Sequence, residues 1–340
     1  MNKEKKQILI IGSGIAGLTA ALDLARENRP SIIVEKEKQI GGHGARFNCK
    51  AVNGKCQKCG ACLVDDALDR VLKTPGIEIL TGTRVESIKK EGLDFVGSLK
   101  RRDKEISKPF GAVLFCHGFT PFDPRQKPNL KYGEIPNLIT GLALEQMLRK
   151  RGEVIRPSDL VKPESIGFVQ CVGSRDSALG NPYCSQVCCG YALRMARQIR
   201  SRAPEIKISF FFMDIQTFGK DFNSIWPVLK DDISFIREIP GDFYRAPEEK
   251  VGVTVEIKDR IEDKVFDMMV LSVGMTPSPD QETLMELGDL EIGPEGFLLP
   301  HQQPGIFVAG SATGPMNITD TIANAHASVN ELLVYLENKK

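Results

Sequence analysis

The chain has 340 residues, 41% hydrophobic and 26% charged, the make-up of a folded soluble protein long enough for two domains. Lys and Arg total 45 against 44 Asp and Glu, so no global charge draws it to nucleic acid or to an anionic membrane surface. The local basic runs Lys3–Lys6 and Lys100–Lys104 read as solvated faces.

In chain order, Met1–Gln7 is charged, and the apolar stretch from Ile8 runs straight into a glycine pattern. A signal peptide or a membrane span would be built differently, so a cytoplasmic protein without a membrane span is expected. Gln7–Ile11 suits a buried strand. Gly12-Ser-Gly-Ile-Ala-Gly17 follows, then an Ala/Leu-rich helical stretch to about Glu27, and Ser31–Glu35 reads as the next strand. Strand, glycine turn, helix and strand form the context in which GxGxxG cradles a dinucleotide pyrophosphate. Gly12 permits the tight turn, Gly14 admits the pyrophosphate to the backbone, and Gly17 lets helix and strand pack closely. The helix N-terminus then meets the phosphate charge. Glu35, closing the second strand, is placed to accept from a ribose hydroxyl. The alternative is a glycine turn without a nucleotide.

Past a cysteine-rich loop, Ile77–Leu80 reads as another parallel strand. Arg84–Lys90, Leu93–Lys100 and the segment around Glu105 alternate like an antiparallel meander. Ala112–Cys116 is an apolar strand ending in His117-Gly118, and Pro121, Pro124 and Pro128 mark a linker. A second α/β pattern follows: strand Ile166–Cys171, helix Gln186–Ser201, strand Ile206–Met213, then strands at Ser234–Arg237, Val251–Ile257 and Val265–Val273. Gly305–Gly310 is a strand leading to Ser311-Ala-Thr-Gly314, and Thr321–Glu337 is a long amphipathic helix.

Eight of the nine cysteines lie in two short tracts. In a reducing compartment such clusters favour metal or redox roles over structural disulfides. Cys49, Cys56, Cys59 and Cys62 are spaced x6, x2 and x2. Three of them, spaced Cys-x2-Cys-x2-Cys, can take three corners of a [4Fe–4S] cubane, with Cys49 or a distant thiol as the fourth. A redox dithiol, a zinc site and inert loop thiols are the competing readings, since paired cysteines alone do not separate zinc from iron–sulfur. In the second tract, Cys171 ends a strand, at the edge where open α/β sheets bind ligands. Cys184 and Cys188 stand one helical turn apart, near a helix N-terminus that favours thiolates, and Cys189 is next to them. A cluster and a buried helix face compete there. Arg175 and Arg194 could stabilise thiolates or simply be surface residues. Cys116 reads as a packed core thiol. His43 and His117 are either neighbours of the bound nucleotide or polar residues satisfied near a loop.

Taken together, the pattern resembles the flavoprotein disulfide (thioredoxin) reductase fold over nearly the whole chain. The pieces carrying the resemblance are Gly12–Gly17 with Glu35, Gly41-Gly42, the strand ending at Gly118, Val270–Gly274 and Val308-Ala-Gly310. It implies an α/β fold of two interleaved dinucleotide-binding-type domains. A FAD-binding domain would take residues 1–119 and 270–340, and an inserted α/β domain residues 120–269. The implied FAD site comprises Gly12, Ser13, Gly14, Ala16, Gly17, Glu35, Lys36, Gly42, His43, Arg46, Val85, Gly118, Gly310, Ser311 and Thr319. Where that family usually has an Asp to bind the ribityl chain, this sequence has Ser311. The helix beginning near Thr319 would aim its N-terminus at the flavin.

A closer resemblance lies in Gln170-Cys-Val-Gly-Ser-Arg-Asp176 with Asn181-Pro-Tyr-Cys-Ser-Gln-Val-Cys-Cys189, which look like the core of heterodisulfide reductase A subunits. The resemblance implies FAD and one or two [4Fe–4S] clusters, with Cys171, Cys184, Cys188 and Cys189 as first-choice ligands. Cys49, Cys56, Cys59 and Cys62 would be a second set. The extra ferredoxin-like segments of methanogenic members are not seen here, so the chain looks like a minimal form. The implied function is an electron-transfer subunit in sulfur or thiol/disulfide metabolism, partnered by other subunits of such a complex and forming a homodimer. The second domain has no GxGxxG, which disfavours direct oxidation of NAD(P)H. The alternatives are a stand-alone FAD-dependent dithiol–disulfide oxidoreductase and a non-enzymatic flavin scaffold.

Overall fold

A computed structural model describes residues 5–216, 229–300 and 303–339. Part of the basic run Lys3–Lys6 and of the charged opening therefore lies outside the described residues. The chain divides into two compact units. The first takes the chain up to Ala45, then Gly60–Thr120 and the stretch from Thr276 onward, while the second takes Arg46–Cys59 and Pro121–Met275. The chain leaves the first unit at β8 (Thr120–Pro121) and returns at β17 (Met275–Thr276).

The first unit is built on a parallel sheet of β1 (Ile8–Ile11), β2 (Ser31–Glu35), β3 (Ile77–Thr81), β7 (Ala112–Phe115) and β18 (Ile306–Val308). Its strand order is β18-β7-β1-β2-β3. The registers Ile8↔Ser31 and Ile8↔Ala112 put β1 at the centre. All of Ile8–Ile11 is buried. Both faces of the sheet are covered, which is why this strand is an unbroken apolar run and not an alternating one. On one face pack α1 (Ile15–Arg26), α2 (Ala61–Lys73) and α6 (Ile318–Asn338), through Leu18, Leu24, Val71, Val329 and Leu332. On the other lies an antiparallel meander of β4 (Thr83–Glu91), β5 (Asp94–Arg101) and β6 (Lys104–Phe110), anchored by Phe95, Leu99 and Phe110. The short helix α5 (Gln281–Gly288) lends Leu284 and Leu287 to that same core.

The second unit repeats the plan. Its parallel sheet comprises β9 (Leu138–Thr140), β10 (Ser165–Val172), β11 (Lys207–Phe211), β12 (Ser234–Ile236) and β16 (Met268–Val273), in the order β12-β11-β10-β16-β9. Helices α3 (Gly141–Arg151) and α4 (Cys188–Arg202) cover one face through Leu144, Leu148, Leu193 and Ile199. The meander β13 (Asp242–Arg245), β14 (Val251–Ile257) and β15 (Arg260–Phe266) covers the other.

Four details depart from the sequence reading. The strand expected over Val265–Val273 is two strands broken at Asp267, whose carboxylate accepts from the backbone N–H of Glu164 at 2.8 Å and of Ser165 at 2.9 Å. The helix expected from Gln186 opens at Cys188, because Gln186 itself has φ +61°. Cys184 therefore precedes the helix and does not share a helical turn with Cys188. Boundaries also shift. Val270–Val273 sits in the second unit because β16 pairs with both β10 and β9, and the segment Arg46–Cys59 sits there too. Finally, α2 occupies part of the stretch read as a cysteine-rich loop, and α3 a stretch to which the sequence reading gave no element.

Candidate functional site

The glycine turn of the first unit is built by contact. Gly12 has φ +105°, and a Cβ there would lie 2.5 Å from the Cys116 carbonyl oxygen at the end of β7. A Cβ on Gly17 would lie 2.1 Å from the Gly12 carbonyl oxygen, so α1 packs directly on the turn. Gly14 is different. It has nothing within 4 Å of its missing Cβ, and as N-cap of α1 it offers no side-chain cap. Open space over uncapped helix N–H groups is what a pyrophosphate requires. Gly42 lies alongside, its missing Cβ 3.2 Å from Gly14 Cα.

Glu35 organises this turn. Its Oε2 accepts from Ser13 N at 2.9 Å and Ser13 Oγ at 2.6 Å, and its Oε1 accepts from Glu37 N at 2.8 Å. Ser13 O in turn accepts from Gly41 N at 2.9 Å. A carboxylate offers about four lone-pair sites, so Glu35 keeps acceptor capacity for a ribose hydroxyl while bracing the loop. Lys36 pairs with Asp280, and Arg84 approaches the same carboxylate at 3.6 Å. The Lys36 hydrogen bond holds Asp280 below the usual carboxylate range.

The other expected residues divide. Ala16 faces Gly310, whose missing Cβ would be 2.6 Å from Ala16 Cβ, and Gly310 N donates to Asn324 Oδ1 at 2.6 Å. Gly118 adjoins Ser311, its missing Cβ 3.6 Å from Ser311 Oγ. His43 Nε2 bonds to Phe119 O at 3.1 Å, and its ring lies 4.9 Å from that of Phe119. Val85 is a core residue at the register break of β4. Thr319 is exposed in the first turn of α6, whose N-cap Asn317 accepts from Asp320 N at 2.9 Å. Arg46 belongs to the second unit. The sequence reading missed Gln281, which accepts at 2.9 Å from His117 Nε2, and Asn324; neither carries a local sequence signal.

In the second unit the ground after β10 differs from a dinucleotide turn. Gly173 has φ +75°, and a Cβ there would lie 1.9 Å from Cγ of Phe122, whose ring therefore packs flat on this glycine. Around it stand the thiols of the second tract. Cys171 takes φ +58° at a bulge in β10. The Cys184 sulfur accepts from Gln186 N at 3.3 Å, and Cys188 Sγ donates to Val273 O at 3.5 Å. Burial, and then repulsion from Cys189, Cys171 and Cys184, pushes the Cys188 thiol well up. Burial likewise pushes Cys189 up to about 11, and raises Cys171 against the opposing charge of Arg175. Among the described residues, however, no group of three His, Cys, Asp or Glu side chains is arranged to hold a metal ion. The donors suit an iron–sulfur cluster, but they are not closed into a ligand shell.

Of the first tract, Cys49, Cys56 and Cys59 belong to the second unit and Cys62 to the first. The Cys56 sulfur accepts from Lys58 N at 3.2 Å. The segment is gripped by the second unit's helices. Lys50 and Glu145 form a buried ion pair at 2.5 Å. Asn48 N donates to Glu145 at 2.9 Å, Gln198 Nε2 to Cys49 O at 2.8 Å, and Arg194 Nε to Gln57 O at 2.9 Å. Helix α4 therefore opens with Cys188 and Cys189 and, further along, holds the backbone of the other tract.

Residues 7–46 match the FAD binding domain family. Over 94% of its length the chain is 28% identical to one of the iron-sulfur A subunits of the CoB–CoM heterodisulfide reductase of Methanopyrus kandleri, covering 63% of that protein. Over 93% it is 29% identical to the counterpart in the H2:CoB-CoM heterodisulfide,ferredoxin reductase of Methanothermobacter marburgensis, covering 62%. Both of these curated relatives are named as A subunits of heterodisulfide reductases. The chain spans somewhat under two thirds of these relatives, which are named as reductases. The fold is that of the flavoprotein disulfide reductases. Thioredoxin reductase of Lactococcus lactis matches with a TM-score of 0.66 at 18% identity, covering 98% of this chain and 100% of its own. That of T. acidophilum matches with 0.66 at 16%, covering 99% and 100%. Among the described residues no helix is long and apolar enough to cross a membrane.

Proposed function

We propose that the chain is a FAD- and iron–sulfur-containing oxidoreductase subunit of a heterodisulfide-reductase-like complex, passing electrons between flavin and one or two [4Fe–4S] clusters. The observation that carries this reading is the second unit's sheet edge. There Phe122 covers the one glycine of the turn, and Cys171 near the end of β10, then Cys184 and the Cys188–Cys189 start of α4, take the place of a second glycine-rich turn. Bound FAD supplies the exchange of two electrons or one. The chain's own residues do the rest. The Gly12–Gly17 turn, braced by Ser13 and Glu35, binds the pyrophosphate and ribose. Cys171, Cys184, Cys188 and Cys189 are the first-choice ligands, and Cys49, Cys56, Cys59 and Cys62 the second set. Cys188 must give up Val273 O to ligate. Other subunits of such a complex are the partners, the chain pairs with itself, and a reducing cytoplasm keeps the thiols available.

A second reading, a stand-alone dithiol–disulfide oxidoreductase, is favoured by the exposed Cys56, whose sulfur accepts a backbone N–H. Anaerobic purification with flavin, iron and sulfide analysis and EPR after dithionite reduction decides between them. The expected result is one FAD with about four or about eight irons per chain. Flavin without iron or sulfide under strict anaerobiosis sinks the electron-relay reading and leaves the dithiol enzyme.

A further inference from the structure

A single peptide unit at the end of β16 is held at both edges by the Cys171–Tyr191 stretch. Val273 and Gly274 share it, so the Val273 carbonyl and the Gly274 N–H lie in one plane and move together. The Gly274 N–H donates to Val172 O at 2.8 Å. At the opposite edge, Val273 O accepts from Cys188 Sγ at 3.5 Å and from the Tyr191 hydroxyl at 3.2 Å. The fit is close: a Cβ on Gly274 would lie 2.5 Å from Ser185 Oγ and 2.9 Å from Ser174 Cβ. The next residue is held in the same way. Met275 N donates to Ser185 Oγ at 2.8 Å, and the Tyr183 hydroxyl donates to Met275 O at 3.1 Å. The Tyr191 ring is itself fixed against α3, where a Cβ on Gly141 would lie 2.6 Å from its Cε2.

A sulfur that ligates iron has given up its proton and can no longer donate. Ligation by Cys188 therefore removes one donor from Val273 O. Val273 is buried, and a buried carbonyl left without a donor is costly. We propose that Tyr191 is a positioning residue for a cluster on the second cysteine tract: its hydroxyl keeps Val273 O bonded, and the peptide in place, once Cys188 ligates iron. This rests on the cluster reading given above. Without the hydroxyl, Val273 O keeps the Cys188 donor in the iron-free chain and loses both donors in the loaded one. The penalty thus falls mainly on the loaded form.

The test uses the full chain, loaded anaerobically with ferrous iron and sulfide. The iron counted is that which Cys171→Ser fails to hold, since this marks the tract. Tyr191→Phe keeps the ring and removes the donor. Iron-free, it is expected to stay folded by circular dichroism, with only a small loss of stability in urea. Loaded, it is expected to surrender that iron to a chelator about tenfold faster, the scale of one stranded acceptor. Hydrogen exchange at the Gly274 amide should quicken in loaded Tyr191→Phe and stay slow in the iron-free variant. In the unaltered chain it should stay slow in both forms; quicker exchange there on loading overturns the proposal without need of a variant. Iron retention in Tyr191→Phe equal to that of the unaltered chain also overturns it. So does equal destabilisation of the loaded and iron-free forms, which makes the tyrosine merely structural. An unaltered chain that holds no iron dependent on Cys171 sinks the cluster reading on this tract, and the proposal with it.

Discussion

At the residue scale, the three glycines of the turn do three different jobs, and substitution separates them. Gly12→Ala meets the Cys116 carbonyl in a backbone region unfavourable to alanine. It is expected to destabilise the first unit itself, by about 1–3 kcal/mol in denaturant unfolding. Gly14→Ala has open space and an ordinary φ of −66°. It is expected to fold with near wild-type stability yet retain little flavin on gel filtration, because the new methyl stands where the pyrophosphate approaches. If both variants unfold alike, Gly14 is structural and the open cradle has another purpose. This turn was legible in the sequence because its constraint is local: six consecutive residues that run from the end of a strand into the first turn of a helix. The His117–Gln281 contact was not legible, since its partners stand 164 residues apart and neither belongs to a motif.

At the scale of elements, the second unit's hold on the Arg46–Cys59 segment centres on Lys50 and Glu145, whose side chains are 3% and 4% exposed. Removing one partner strands the other charge in the interior. Lys50→Met is expected to cost about 3–5 kcal/mol in urea unfolding, and the double variant Lys50→Met/Glu145→Met much less. A double variant as damaged as the single one would mean that the pair matters for more than charge balance. The sequence offered a fair signal for α2, since Ala61, Val64, Ala67 and Val71 recur at helical spacing and all are buried. The cysteines at Cys59 and Cys62 drew that stretch into a loop reading. The start of α4 failed for another reason. Gln186 adopts a positive φ that its residue type does not announce.

At the scale of the whole molecule, the Gly12–Gly17 turn and the Cys171–Cys189 tract belong to different units, so loss of flavin and loss of a cluster on that tract should be separable. Cys171→Ser and Cys184→Ser are each expected to lower bound iron by about four atoms per chain, one [4Fe–4S] cluster, with flavin content unchanged. Unchanged iron in both variants would move the cluster to the first tract. The fold class was legible in full because each unit declares itself by an apolar strand, a turn and a helix. The boundaries were less so, because strand pairing decides them and a sequence does not display which strand pairs with which.

The closing strand β18 of the first unit has a consequence for biosynthesis. It pairs with β7 through Ile306↔Val113, and α6 follows it onto α1. Every segment of the second unit, by contrast, precedes Thr276 in the chain. On a ribosome the thiol-bearing unit has all of its parts before the flavin-binding sheet has its last strand. The proposed ligands Cys171, Cys184, Cys188 and Cys189 would thus all be in place while the proposed flavin site still waits for its last strand.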